Sequence, residues 1–149
     1  MQVVLEAGGE KELLATAVAG ILRHNIENGN VDPDDLKALS IDLGMVASTP
    51  TGDSSCTVSF HGDRVRIYPG LKEHCDSILS GEFGAIMALS RIPFYRGAPL
   101  LHAADSLGLG IDILKGRLKL TGAAKVLPRL LSLARVMSTE RRCCPFVLR

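Results

Sequence analysis

The chain has 149 residues, which on ordinary domain sizes makes one domain, and a chain this long buries about 70% of its unfolded surface with no disulfide or metal staple. Hydrophobic residues at 46% and charged residues at 22% exclude wholesale disorder. Aromatics at 4%, the absence of Trp and a net charge of +1 argue against a nucleic-acid binder, which needs rings for base stacking or a basic footprint.

Residues 1–12 lack the basic start and apolar core of a secretory signal. Residues 10–28 predict a helix: Leu14, Val18, Ile21, Leu22 and Asn25 share a face, Leu13 and Ala17 widen it, and Asn28-Gly29-Asn30 stops it. Residues 31–37 are acidic, with Pro33 in a turn or in the first turn of a short helix. The period then changes to two. Ile41, Leu43, Met45 and Ala47 alternate with polar or small residues and predict a strand. Residues 49–53 form a loop. Cys56, Val58 and Phe60 mark a second strand, Gly62-Asp63 a hairpin turn, and Val65 and Ile67 a third strand ended by Pro69-Gly70. Residues 76–80 predict a short fourth strand. Ser80 is placed to cap a helix over 82–91. A loop follows over 92–99, then a short helix over 100–107 broken by Gly108-Leu109-Gly110. Leu114, Gly116, Leu118 and Leu120 alternate with Lys115, Arg117, Lys119 and Thr121, which predicts a fifth strand with one apolar and one basic face. Residues 124–138 predict the last helix, with Pro128 near its first turn.

Charge is unevenly spread: residues 1–42 carry eight acids and three bases, residues 115–149 nine bases and one acid. The basic end is either a solvated face or a transient contact with an anionic membrane. No apolar run approaches the ~18–20 residues of a membrane span. Cys56, Cys75, Cys143 and Cys144 show no spaced framework, so free thiols in a reducing cytoplasm are expected. Strands followed by helices predict an α+β fold with helices on one face of the sheet.

Three segments carry a resemblance, in order, over residues 39–138: CTVSFHGDRVRIYPGL at 56–71, CDSILSGEFGAIMAL at 75–89 and LKGRLKLTGAAKVLPRLLSL at 114–133. They resemble the sterol carrier protein family, the nonspecific lipid-transfer domain: a central hairpin, a short strand running into a helix, and a basic-alternating strand between glycines followed by an aliphatic helix. The resemblance implies a five-stranded, mostly antiparallel sheet with helices over one face, in a single domain over 1–138 that includes the helix over 10–28; the basic tail over 139–149 has no counterpart in the family. The resemblance also implies an apolar tunnel between sheet and helices that takes fatty acyl, sterol or isoprenoid ligands, and no chemistry.

The residues supply their own reason for such a site. In 126–137, Arg129, Ser132 and Arg135 form one narrow polar stripe and nearly everything else is apolar, more than the roughly 100° stripe a covering helix needs. Each CH₂ buried from an acyl chain is worth about 0.8 kcal/mol. Strand face and helix stripe nominate Met87, Phe94, Leu101, Leu118, Leu127, Leu130, Leu131 and Ala134 as lining. Arg91 and Arg96, flanking residues 92–95, are candidates for an anionic head group.

Catalysis has no constellation here: no nucleophile elbow, zinc-protease motif, Walker loop or complete dinucleotide fingerprint occurs. His74-Cys75, read as neighbours on a strand, would point to opposite faces. His74, Cys75, Cys143 and Cys144 match no common zinc spacing. No metal or cofactor is expected. Cys143-Cys144 is either an acylation site or part of a plain tail. His24 is read as exposed or capping and His61 as exposed, while His102 fits a core position or the tunnel mouth. Two rivals to a lipid carrier stand: an interaction or homodimerisation module accessory to a lipid-modifying enzyme, and a small enzyme acting on an acyl or isoprenoid substrate.

Overall fold

In a computed structural model, which describes residues 2–96, 98–100, 104–122 and 127–140, the two-residue periodicity of the middle of the chain becomes a meander. β2 (Ile41–Thr49), β3 (Gly52–His61) and β4 (Arg64–Pro69) pair antiparallel in turn. Residues 49–53, read as a loop, close into a tight hairpin with Thr49 paired to Gly52. β1 (Gln2–Leu5) adds to the outside of β4, parallel to it. β5 (Ser77–Glu82) pairs parallel with β2 on its other side, and β8 (Leu118–Thr121) pairs antiparallel with β5. The order is β1-β4-β3-β2-β5-β8. The sheet thus has six strands and is mixed, where five mostly antiparallel strands were expected.

The reason lies between β4 and β5. β2 and β4 both run against β3, so a chain entering beside β2 in the direction of β4 must first travel back down the sheet. Residues 70–76 do this diagonally across one sheet face. The Gly70 amide donates to the Ser55 carbonyl (3.0 Å), Lys72 N–H to Thr57 Oγ1 (2.9 Å) and Asp76 N–H to the Asp42 carbonyl (2.8 Å). Gly44 lies beneath this crossover. A Cβ there would sit 2.8 Å from Leu71 Cδ2 and 3.1 Å from Cys75 Sγ, so the crossover side chains pack on bare backbone and a side chain at this position would push them aside.

The opposite face holds the core. Ile41, Leu43, Met45, Val58, Phe60, Val65 and Ile67 point to it, each at most 1% exposed. α1 (Leu13–Glu27), after a 3₁₀ turn at Gly9–Lys11, lays Leu14, Ala15, Val18, Ala19 and Leu22 on them. Leu14, Val18, Leu22 and Asn25 are the predicted stripe, but it widens through Ala15 and Ala19 rather than through Leu13, 54% exposed, and Ala17, half-buried like Ile21. α2 (Pro33–Leu39) adds Leu36 and Leu39. Its start is set by Pro33 in the first turn and by Asp32, whose side chain accepts from the Asp34 amide (2.9 Å).

Three sequence boundaries move. α3 (Phe83–Ala88) takes Glu82 at its N-cap, because Ser80 is still in β5, and ends in a 3₁₀ turn at Leu89–Arg91. Residues 92–99 contain a small hairpin, β6 (Phe94–Tyr95) with β7 (Ala98–Pro99). α4 (Ala104–Leu114) runs through Gly108 and Gly110, which were read as a break. Each glycine costs a helix only about 1 kcal/mol, and α4 instead stops before Gly116, at φ +71°. Leu114 is therefore helical and 88% exposed rather than the start of a strand. α5 (Leu130–Met137) follows a 3₁₀ turn at Leu127–Arg129 that holds Pro128.

Candidate functional site

The polar stripe of α5 is spent on the fold. Arg135 Nη1 lies 2.9 Å from Asp35 Oδ1 on α2, and the Ser132 hydroxyl donates to the same oxygen (3.0 Å). Asp35 is 8% exposed. The buried Asn25 of α1 donates its side-chain amide to the Val136 carbonyl (2.7 Å). These bonds pin α5 across α1 and α2 and turn Leu133, Val136 and Met137 into the core. Arg135 is thus an inter-helix anchor, not part of a solvated basic face. Arg117 pairs with Asp112 (3.5 Å), and Arg141, Arg142 and Arg149 lie outside the described residues.

Of the nominated lining, Leu118 is 5% exposed on the inner face of β8, and half-buried Met87 packs on the same core. Phe94 is 1% exposed but buried apart from that cluster, in the β6–β7 hairpin, where its amide donates to the Glu140 carbonyl (3.1 Å). Ala134 is half-buried and Leu131 is 43% exposed. Leu101 and the side chains of Leu127 and Leu130 lie outside the described residues, as do His102 and Cys143-Cys144. Arg91 and Arg96 are both exposed. Arg96 holds φ +49° at the hairpin tip and lies 5.3 Å from the Tyr95 ring centroid.

Under α1 and α2 the inner face of β2–β4 is covered by buried aliphatic side chains. Uncovered apolar surface lies instead on α4. Leu107, Ile111 and Leu114, spaced i, i+4, i+7, form one stripe at 57%, 48% and 88% exposure, with Ile113 beside it at 54%. That spacing is legible in the sequence only when the helix is carried through Gly108 and Gly110.

The thiols do not form a reactive site among the described residues. Burial pushes the Cys56 thiol up to about 12, with the charge of Glu12 adding to it. Cys56 should therefore resist iodoacetamide at pH 8 until the protein unfolds. Peptide mapping that found Cys56 labelled in the folded state would contradict its burial. His74 and Cys75 lie in the crossover rather than on a strand. His74 is exposed, and Cys75 is tucked against Thr57 Oγ1 (3.8 Å). His24 is exposed in the last turn of α1, its Nδ1 3.2 Å from Asn28 Nδ2. Among the described residues no three His, Cys, Asp or Glu side chains gather as metal ligands, and no helix is long and apolar enough to cross a membrane.

No protein-family model matches the chain, and no curated protein does. Solved structures do match. A UbiJ-SCP2 ubiquinone synthesis protein superposes with a TM-score of 0.52 at 16% identity, covering 82% of this chain and 91% of that one. The crystal structure of sterol carrier protein 2 like 2 from Aedes aegypti gives 0.51 at 18% identity, over 79% of this chain and 96% of that one. A palmitated form from the same organism, solved in solution, gives 0.50 at 17% identity, over 75% and 87%. At these identities the likeness is one of architecture, and the mixed sheet with helices on its inner face is the sterol carrier protein 2 fold.

Proposed function

We propose that this chain binds a lipid, with a fatty acyl, sterol or isoprenoid chain lying along the helix layer at its α4 end, and that it carries this ligand without chemistry. The observation behind this is the exposed stripe of Leu107, Ile111 and Leu114. Three aliphatic side chains in one row on a helix cost solvation unless something apolar covers them. An acyl chain gains about 0.8 kcal/mol per CH₂ it buries there. A fold neighbour that carries palmitate supports the same reading. Arg91 and Arg96 are the cations within this reading that suit a carboxylate head group.

Organic extraction of the purified protein followed by mass spectrometry tests the proposal, and about one lipid per chain is expected. Ile111→Asp should weaken uptake of a fluorescent fatty acid by about tenfold. Its unfolding midpoint should stay near that of the parent, because the side chain is already half exposed. A lipid-free protein that light scattering shows to be a dimer, and that Ile111→Asp makes monomeric, would replace the carrier with a self-association module on the same stripe.

A further inference from the structure

The sheet face turned away from α1 and α2 carries charge rather than aliphatic surface. Along β4, Val65 and Ile67 point inward, so Arg64, Arg66 and Tyr68 point out. The register sets Arg64 opposite His61 and Arg66 opposite Ser59, and Ser59 in turn lies opposite Asp42. The crossover then brings Lys72 onto this grid. Its Nζ is 3.9 Å from the Tyr68 ring centroid, 3.0 Å from Ser59 Oγ and 3.7 Å from Asp42 Oδ2. Together Ser59, His61, Arg64, Arg66, Tyr68 and Lys72 line an open cavity of about 270 Å³.

The charges of this cavity do not cancel. Asp42 is the carboxylate that touches this lining, and its oxygens are already engaged: Ser59 donates to Oδ1, His61 Nε2 is 3.2 Å from the same oxygen, and Lys72 approaches Oδ2. Burial would raise the pKa of Asp42, but the Ser59 and His61 hydrogen bonds and the Lys72 charge hold it below the ordinary value. It therefore braces Lys72 and His61 as a fixed anion. Arg66 is engaged first by a side-chain hydrogen bond to Tyr68, and Glu6 acts on it across space. Neither Arg64 nor Arg66 has a carboxylate within ion-pair distance among the described residues. The Cα atoms of alternate residues on one strand face stand about 7 Å apart, so both guanidiniums can reach one ligand.

We infer that this cavity binds a phosphate-type oxyanion, a phosphomonoester or diphosphate group, held by Arg64 and Arg66 with Lys72 and His61 closing the far side. Guanidinium forks match phosphate oxygens in pairs, and the shared ligand converts their repulsion into two sets of charge-assisted hydrogen bonds. A single carboxylate has too little charge to engage three cations. The volume lies below the roughly 300–1,000 Å³ of sites that enclose a drug-sized ligand, which suits a compact group. The cavity is on the opposite side of the sheet from the α1 and α2 layer, so it stands independently of the lipid proposal. The phosphate can belong to a soluble ester or to a lipid head group in a membrane.

Titration of ¹⁵N-labelled protein with sodium pyrophosphate at low ionic strength is the test. The amides of Ser59, His61, Arg64, Arg66 and Lys72 should shift together and saturate. Arg64→Gln with Arg66→Gln should weaken binding by about tenfold or more while leaving the remaining spectrum in place, since both side chains are exposed. Flotation with vesicles of phosphatidylcholine, with and without phosphatidic acid, separates the sources. Retention on phosphatidic acid that pyrophosphate displaces assigns a head group, and pyrophosphate binding without retention assigns a soluble ester. Amides that stay in place under pyrophosphate, or shifts that the double variant leaves unchanged, overturn the site.

Discussion

Gly81→Ala should lower the stability of the protein by about 3–4 kcal/mol, whereas Gly84→Ala, three residues further on, should raise it by up to about 1 kcal/mol. The two glycines meet opposite surroundings. In β5, Gly81 is in register with Leu118 of β8, and the Glu82 amide donates to the Arg117 carbonyl (3.2 Å). A Cβ on Gly81 would overlap that carbonyl oxygen and lie 3.1 Å from Leu118 Cα. These are backbone atoms, so no rotamer relieves the contact and β8 must separate from β5. At Gly84, exposed in α3, a Cβ meets nothing within 4 Å. For a chain of this length 1 kcal/mol moves Tm by roughly 2–4 °C, so Gly81→Ala should melt about 10 °C low. Hydrogen exchange should show the loss first in the β8 amides. If Gly81→Ala unfolds at the parent midpoint, β8 does not pair with β5 in this register.

Asp35→Ala is expected to cost about 3 kcal/mol. It removes the acceptor for both Arg135 and Ser132 and leaves the guanidinium, 28% exposed, without its carboxylate. The penalty falls at the lower end for a buried pair because water reaches Arg135 in part. Asp35→Leu with Arg135→Met should recover most of it, since removing both charges leaves no orphan. Chemical denaturation of the two single variants and the double variant measures this directly. Additive losses would mean that the pair does not couple α2 to α5.

What the sequence revealed follows from the distance over which each feature is encoded. The β2–β3–β4 meander was legible because alternation continues for many residues and Gly62 sits where the hairpin needs positive φ, +66°. The core stripe of α1 was legible for the equivalent helical reason. β1 was missed because Val3, Val4 and Leu5 are too few to show a period and their partner is the distant segment around Val65. The parallel entry of β5 could not be read either, since it depends on a diagonal crossover that only Gly44 hints at. The candidate site divided the same way. Strand face and helix stripe put Leu118 and Met87 on the side of the sheet where they lie, whereas the β6–β7 hairpin that holds Phe94 is only two residues per strand and leaves no periodic signal. The stripe on α4 was hidden by two glycines. The partner of Arg135 was invisible because Asp35 lies a hundred residues earlier. Arg64 and Arg66 were plainly the polar face of a strand, and their gathering with Lys72 and Asp42 needed the whole sheet.

The sheet narrows toward both margins. β2 and β3 run nine and ten residues, while β1 and β8 have four each. An unpaired margin is a template on which a foreign strand can grow, and its hold increases with the number of backbone groups it offers. By tapering, this sheet confines its long ladders to the middle, where both sides are already occupied. Its margins offer too little length to recruit further strands, which guards a largely aliphatic protein against polymerising through its own backbone.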